Sequence, residues 1–327
     1  SIGDIDGDGR IDLVGANPSS NDGGNERGAI DLLFLDADSQ VDKSKTVTIS
    51  STKGNFGDGL SDGDQFGGRE SSMLGDLDRD GTLELAVGAF MSDGGRGAIC
   101  ILSLDSESFE VVSKLKIGAK QAGFNEDLPD VQNSNGSYGG QLGHALAAVG
   151  DLNGDGTIDL ATGANQFNEG YGYLLYLNED KTVKTFNRIN NQQGGFGLNL
   201  EANERFSRSI SFAPNIGKDG HIAINMGGGA GQTGTLYSLQ YKPCEIQPIT
   251  GNNYWSAEDP LYSNWDHVNQ RVSESLSLEQ CWQKSSEVKG YKITTSSSDF
   301  RCIVHDANAE LTASIEGSVG YLNQCFE

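Results

Sequence analysis

Basic residues are scarce in this chain: 23 Lys and Arg stand against 46 Asp and Glu, for a formal net charge of -23. Nucleic acid is held through clustered Lys and Arg that neutralise phosphates, and the chain has no such cluster, so that partner is excluded. A solvated acidic surface is the plainer meaning of the charge. Long hydrophobic runs are missing as well. No stretch of about 18 apolar residues occurs, and no charged-then-apolar leader opens the chain, which predicts neither direct membrane insertion nor an export signal within these residues. Catalytic signatures such as GxSxG, HExxH, a Walker loop or CxxC are absent. The four histidines, His144, His221, His267 and His305, are scattered and share no motif with a nucleophile. Cysteine is nearly absent before residue 244, where Cys100 stands alone, and then appears as Cys244, Cys281, Cys302 and Cys325.

Glycine is what the chain has in excess: 45 residues of 327, about twice the usual share of roughly 7%. With only 36% hydrophobic residues, this favours many short strands joined by tight turns. The length suffices for a large core and predicts two domains.

One acidic loop occurs three times: Asp4-Ile-Asp6-Gly-Asp8-Gly-Arg10-Ile-Asp12, Asp76-Leu-Asp78-Arg-Asp80-Gly-Thr82-Leu-Glu84 and Asp151-Leu-Asn153-Gly-Asp155-Gly-Thr157-Ile-Asp159. The copies start at residues 4, 76 and 151, hence 72 and 75 residues apart. Asp or Asn at positions 1, 3 and 5 turns short oxygen-bearing side chains toward one point, and Gly at position 6 allows a sharp turn. Position 7 then offers a backbone carbonyl (Arg10, Thr82, Thr157), and the carboxylate at position 9 (Asp12, Glu84, Asp159) closes the shell. An all-oxygen set suits calcium and excludes zinc or iron. The helix-loop-helix hand is also excluded, because its closing Glu stands at position 12 and helices flank it. Three calcium ions are therefore expected. Each rigidifies a turn rather than catalysing, since the loop supplies every first ligand. The bland alternative is a solvated acidic turn, which three copies in register disfavour.

After each loop comes an apolar strand ending in Gly-Ala: Leu13 to Ala16, Leu85 to Ala89 and Leu160 to Ala164, with a degenerate fourth copy from Ile222 to Gly228. Second strands begin at Gly28, Gly97, Gly172 and Gly234. Third strands fit Thr46 to Ser50, Phe109 to Ile117, Thr182 to Ile189 and Glu245 to Ile249. With a strand leading into each loop, this makes four strands per repeat, the pattern of propeller blades. The residues resemble FG-GAP repeats, the units of the seven-bladed β-propeller of integrin alpha subunits. The Phe-Gly half appears as Phe66-Gly67, as Leu142-Gly143 and as Phe206-Ser207. The fold class expected is mainly β, with FG-GAP β-propeller-like repeats over 1–249. Only four repeats are visible, and the first lacks the strand before its loop. Upstream residues, the C-terminal module or a neighbouring subunit would have to cover that edge. In the fourth copy, Asn215, Gly217, Asp219 and Ala223 replace the ligand set, so that loop should be empty.

Residues 250–327 turn to Ser, aromatics and cysteine. Ser277-Leu-Glu-Gln280 reads as a capping box opening a short helix that carries Cys281 and Trp282. Strands follow at Tyr291 to Thr295 and Cys302 to Val304. This layout resembles a PAN/apple-type module, a small α+β disulfide-bonded domain, and that resemblance implies Cys281–Cys302 and Cys244–Cys325 pairs. Spacing alone leaves all three pairings open. Cys100, inside an apolar strand, reads as a packed, inert thiol rather than an intermolecular bridge. Asn135-Gly-Ser137 is an acceptor pattern for glycosylation. Tyr254, Trp255, Tyr262 and Trp265 form an aromatic group suited to a core or to stacking on a sugar.

The sequence points to an extracellular or cell-surface calcium-binding structural or adhesion protein, acting through contacts with other proteins, including copies of itself. A glycan-binding lectin is the second reading. A hydrolase is the third, because a carboxylate pair can meet in space without showing in sequence.

Overall fold

A computed structural model describes residues 1–129, 139–166, 169–194, 198–201, 204–214, 222–229 and 234–241, and beyond these the backbone of six strands. The chain divides into two compact units, Ser1–Leu152 with Gly156–Lys242, and Asn153–Asp155 with Pro243–Glu327.

The first unit is built from antiparallel meanders taken in chain order. Strands β1 (Leu13–Asn17), β2 (Ala29–Leu33) and β3 (Val47–Ser50) form a three-stranded sheet. Strands β4 (Ser71–Gly75), β5 (Leu83–Ala89), β6 (Ala98–Leu104) and β7 (Val111–Gly118) form a four-stranded one. The next four-stranded sheet holds β8 (Leu142–Gly150), β9 (Asp159–Ala164), β10 (Tyr171–Leu177) and β11 (Val183–Ile189). A further three-stranded sheet holds β12 (Ser209–Ala213), β13 (Ile222–Gly228) and β14 (Thr235–Tyr241). The expected repeat is thus observed as a sheet that starts over at each acidic loop.

Period-two alternation feeds two cores from one strand. In β6, Cys100, Leu102 and Leu104 pack with Ile30, Leu32 and Phe34 of the first sheet. Its intervening residues, Ile99 and Ile101, pack with Leu146, Leu160 and Leu175 of the third. In β10, Leu174 and Tyr176 turn toward Ile210, Ile224 and Met226 of the fourth. The middle sheets are therefore buried on both faces, which explains why all seven residues of β6 are buried. The first sheet has a neighbour on one side only among the described sheets, and at its end Leu13 of β1 is 37% exposed, beside Ile11 at 60% and Val41 at 38%.

Successive sheets are stapled through the Phe-Gly elements. Phe66 N–H donates to the Arg27 carbonyl (2.9 Å), Leu142 N–H to that of Arg96 (2.9 Å) and Phe206 N–H to that of Glu169 (2.8 Å). The three apolar side chains are fully buried, one in each core. The residues on either side of the bond have left-handed backbones: Gln65 (φ 53°) and Gly67 (φ 73°), Gln141 (φ 56°) and Gly143 (φ 79°), Arg205 (φ 53°) and Ser207 (φ 64°). A Cβ on Gly97 would lie 2.2 Å from Leu142 N, so glycine permits the approach.

The missing first strand is partly replaced. Ile2 N–H donates to the Asp12 carbonyl (3.1 Å) and Asp12 N–H to that of Gly3 (2.7 Å), a two-residue stub of the expected strand. The strand expected at Glu245 to Ile249 to complete the fourth repeat takes another partner. Strand β15 (Ile246–Ile249) is the edge of a sheet in the second unit, ordered β15-β20-β17-β18, and pairs with β20 (Ser318–Asn323). Pro248 fits that edge because it has no N–H to give to a second neighbour. Strands β17 (Gly290–Ser296) and β18 (Asp299–His305) pair where the sequence places two strands. Strand β16 (Asn253–Trp255) pairs with β19 (Leu311–Ala313). Cys244, Cys281, Cys325, Asn135, residues 215–219 and 277–280, Tyr262 and Trp265 lie outside the described residues, and of Cys302, Tyr254 and Trp255 only the backbone is described.

Candidate metal-binding loops

Each acidic loop connects the strand stub or first strand of a repeat to the next strand, and the three share one backbone course. The residue preceding position 1 is left-handed in every copy: Gly3 (φ 83°), Gly75 (φ 79°) and Gly150 (φ 76°). Position 4 is too, as Gly7 (φ 73°), Arg79 (φ 59°) and Gly154 (φ 78°). Position 6 carries the expected sharp turn at Gly9 (φ 86°), Gly81 (φ 89°) and Gly156 (φ 89°). The glycine before position 1 was visible as a recurring letter in all three copies, and it extends the motif by one residue.

Position 1 braces the turn. Asp4 accepts the N–H groups of Asp8 (3.0 Å) and Gly9 (2.8 Å). Asp76 accepts those of Asp80 (3.1 Å) and Gly81 (3.1 Å), and Asp151 that of Gly156 (2.8 Å). Position 9 anchors the loop to the sheet. Asp12, Glu84 and Asp159 are fully buried and accept the N–H of Ile5 (3.0 Å), Leu77 (2.7 Å) and Leu152 (2.8 Å). The second oxygens of Asp12 and Asp159 accept Leu35 N–H (3.3 Å) and Leu177 N–H (3.1 Å) at the end of the following strand.

The acid oxygens converge differently in the loops. Those of Asp4, Asp6 and Asp8 come within 4.8 Å of one another, and in the second loop it is Asp76, Asp78 and Glu84 that do so. In the third, Asn153 Oδ1 accepts Asp155 N–H (3.0 Å) and its amide nitrogen donates to Asp155 Oδ2 (2.9 Å). At position 7, Arg10 donates to Asp8 (2.6 Å) and the Leu35 carbonyl (3.0 Å). Thr82 Oγ1 donates to Asp80 (2.6 Å) and lies 3.1 Å from Glu84 Oε1.

Two lysines enter these loops without any signal in the motif. Lys45 Nζ lies 2.7 Å from Asp6 Oδ2 and holds that carboxyl below its usual range. Lys181 Nζ, from the β10–β11 turn, lies 2.6 Å from Asp78 Oδ2 and 3.6 Å from Glu84 Oε1. Burial works against the Lys181 charge, yet its bond to Asp78 and the charge of Glu84 leave the ammonium above its ordinary pKa. Asp78 Oδ1 is buried without a hydrogen-bond partner. An ammonium as stand-in cation, an orphaned carboxylate oxygen beside it and an all-oxygen donor set together fit a hard divalent ion.

Cys100 is buried and reduced in the middle of β6, and burial pushes its thiol up to about 12. That agrees with a packed, inert side chain.

The family model of the FG-GAP repeat matches residues 142–175. That span begins at Leu142-Gly143 and runs through the third acidic loop to Leu175 in β10. Among solved structures, the chain is similar to one described as "Structure of Dos1 propeller", at 11% identity and a TM-score of 0.33. The match covers 96% of this chain and 64% of that one, so the chain spans less than two thirds of its length. The matched repeat, and sheets that restart in chain order at each loop, support an FG-GAP β-propeller region in this chain.

Proposed function

We propose that the chain is a calcium-stiffened contact protein of the extracellular space or cell surface, working through protein–protein interfaces that include its own copies. The carrying observation is the second loop, where Asp78 keeps a buried, unpartnered oxygen beside a lysine ammonium that already fills the role of a cation. One ion in each loop would be held by Asp4, Asp6, Asp8 and Asp12, by Asp76, Asp78, Asp80 and Glu84, and by Asp151, Asn153, Asp155 and Asp159. The carbonyls of Arg10, Thr82 and Thr157 would complete the shells. Bound calcium would neutralise clustered carboxylates and fix each turn against its sheet. Exposed apolar side chains at one end of the first sheet, Leu13 of β1 with Ile11 and Val41 in the adjoining segments, favour assembly, because such a patch can serve as a docking surface. The second unit, read as a PAN/apple-like module with Cys281–Cys302 and Cys244–Cys325 bridges, would supply a further contact surface.

A cavity of about 600 Å³ lies between the second, third and fourth sheets, and Glu70 is the carboxylate that the described residues bring to it. Calorimetric titration with CaCl₂ tests the proposal. Three sites with Kd of about 0.1 to 1 mM are expected, as in extracellular calcium modules. At calcium ten times Kd each site adds about 1.4 kcal/mol of stability. No heat and no change in melting temperature would sink the calcium reading. Light scattering with and without chelator tests assembly, and a monomer in both removes that part.

A further inference from the structure

In a protein of net charge -23, three arginines gather without a carboxylate partner. Arg69 and Arg208 line the cavity of about 600 Å³. An adjoining cavity of about 310 Å³ shares Arg69, Arg208 and His144 with it and adds Arg205. Among the described residues, none of these three guanidinium groups forms an ion pair. Arg69 lies over the Phe90 ring, 5.3 Å from its centroid, which orients the group without neutralising it.

The sheet junctions bring these residues together. Arg69 follows Phe66-Gly67, His144 follows Leu142-Gly143, and Arg205 and Arg208 flank Phe206-Ser207. Since each Phe-Gly element staples one sheet to the preceding one, three successive staples deliver their neighbours to one face. His144 adds no charge near neutral pH. Its buried ring donates from Nδ1 to the Arg208 carbonyl at 3.1 Å. Among the described residues Glu70 is the one carboxylate of this cavity wall, and its Oε2 accepts Leu146 N–H at 2.9 Å.

Three like charges at the rim of adjoining cavities raise the local positive potential and so attract an anion, even where solvent screens their mutual repulsion. Planar guanidinium forks match carboxylates two bonds at a time. Their distribution over two adjoining cavities, rather than around one point, suits a ligand with several separated carboxylates better than one small ion. The volumes fall in the range of small-ligand sites, and Leu236, 70% exposed on the wall, offers contact for a hydrocarbon chain.

We propose that Arg69, Arg205 and Arg208 form a polycarboxylate-binding site, which takes a free di- or tricarboxylic acid or adjacent acidic side chains of a peptide. The site is separate from the acidic loops and does not depend on calcium in them. The peptide source alone rests on the contact-protein reading.

The test is calorimetry on the whole chain at matched ionic strength, with tricarballylate, glutarate, a blocked tri-glutamate peptide and sulfate as probes, each with and without calcium. Binding of a carboxylate probe in preference to sulfate is expected. Arg69→Gln or Arg208→Gln should weaken it about tenfold or more, the loss expected for one charged hydrogen-bonding group, and Arg→Lys at the same position should recover part. These side chains are exposed, so near-ultraviolet circular dichroism should be unchanged. Tricarballylate binding identifies a free acid as the source, and binding of the peptide alone identifies a partner segment. Sulfate binding as well as any carboxylate, no binding of any probe, or parent-like affinity in the Arg→Gln variants would each overturn the proposal. Loss of calcium binding with retained carboxylate binding would leave this site standing while the calcium reading fails.

Discussion

Lys181 Nζ and Asp78 Oδ2 lie 2.6 Å apart, although 103 residues separate them in the chain. The pair ties the β10–β11 turn of the third sheet to the acidic loop of the second, and Lys181 is only 12% exposed there. A cation entering the loop must compete with this tethered ammonium. Lys181→Gln should therefore raise the calcium affinity of the second loop by about tenfold, the free-energy scale of one screened charge pair. It should also lower stability in chelator, where the carboxylates of Asp78 and Glu84 are left to repel. Calcium titration of the variant beside the parent decides the matter: unchanged affinity at all sites would show that Lys181 does not occupy the cation position.

The carboxylates of one loop have separable roles. Asp159 is fully buried and accepts both Leu152 N–H and Leu177 N–H, whereas Asp155 stands at the loop tip. Asp159→Ala should cost about 2 to 5 kcal/mol already in chelator, because two buried backbone donors lose their charged acceptor, and more in calcium, where a ligand is lost as well. Asp155→Ala should cost little in chelator and should remove most of the stabilisation that calcium gives. Denaturant melts of both variants in calcium and in chelator check this. Equal losses in the two conditions for Asp155→Ala would show that its carboxylate is structural.

Local features of this fold were legible in the sequence, and contacts between sheets were not. The loop period and the Gly-Ala strands placed β1, β5 and β9, and the position-6 glycines adopt the left-handed turn that the motif requires. The third strands differ by a residue or two, as at Val111–Gly118 against the expected Phe109 to Ile117. By contrast, Lys181 meets Asp78, and Arg69 shares a cavity with Arg205 and Arg208, through neighbouring sheets stacked face to face. Such pairs have no period along the chain, because they depend on which turns two sheets happen to juxtapose. The same holds for Ile246–Ile249. Its apolar pattern marks a strand, but alternation identifies a buried face and not the partner that completes the ladder.

The glycines at the sheet staples should be among the least replaceable residues. A Cβ on Gly97 would stand 2.2 Å from Leu142 N and 2.3 Å from Leu142 O, and its φ of 83° is left-handed. Gly97→Ala should therefore cost more than about 3 kcal/mol, combining backbone strain with separation of two sheets. Gly57 also has a left-handed φ, 67°, but a Cβ there meets nothing within 4 Å. Gly57→Ala should cost about 1 kcal/mol for strain alone. Urea melts of the two variants measure the difference, and equal losses would show that the close approach at Gly97 relaxes without cost.

His144 gives the fold a pH dependence of known sign. Burial is the main cause that lowers its pKa from 6.5 to about 4, with the positive charge of Arg69 acting in the same direction. Between these two values the unfolded chain binds a proton on His144 that the folded chain does not, so unfolding takes up a proton and stability rises with pH. The contribution is fully present above 6.5, falls as pH drops through that window, and levels off below about 4, where the folded ring is protonated as well. Its full size is about 3 kcal/mol, from roughly 1.4 kcal/mol per pKa unit. Carboxylates titrate at the lower end of the same range, so the measurement must be differential. Stability of the parent minus that of His144→Gln, followed from pH 7 to pH 5 in urea melts, should decline by about 2 kcal/mol, somewhat over half of that amount. Proton NMR of the His144 ring should show no titration above pH 5. A ring that titrates near 6.5, or a difference that stays flat with pH, would mean that water reaches His144 and that the junction between the second, third and fourth sheets is open in solution.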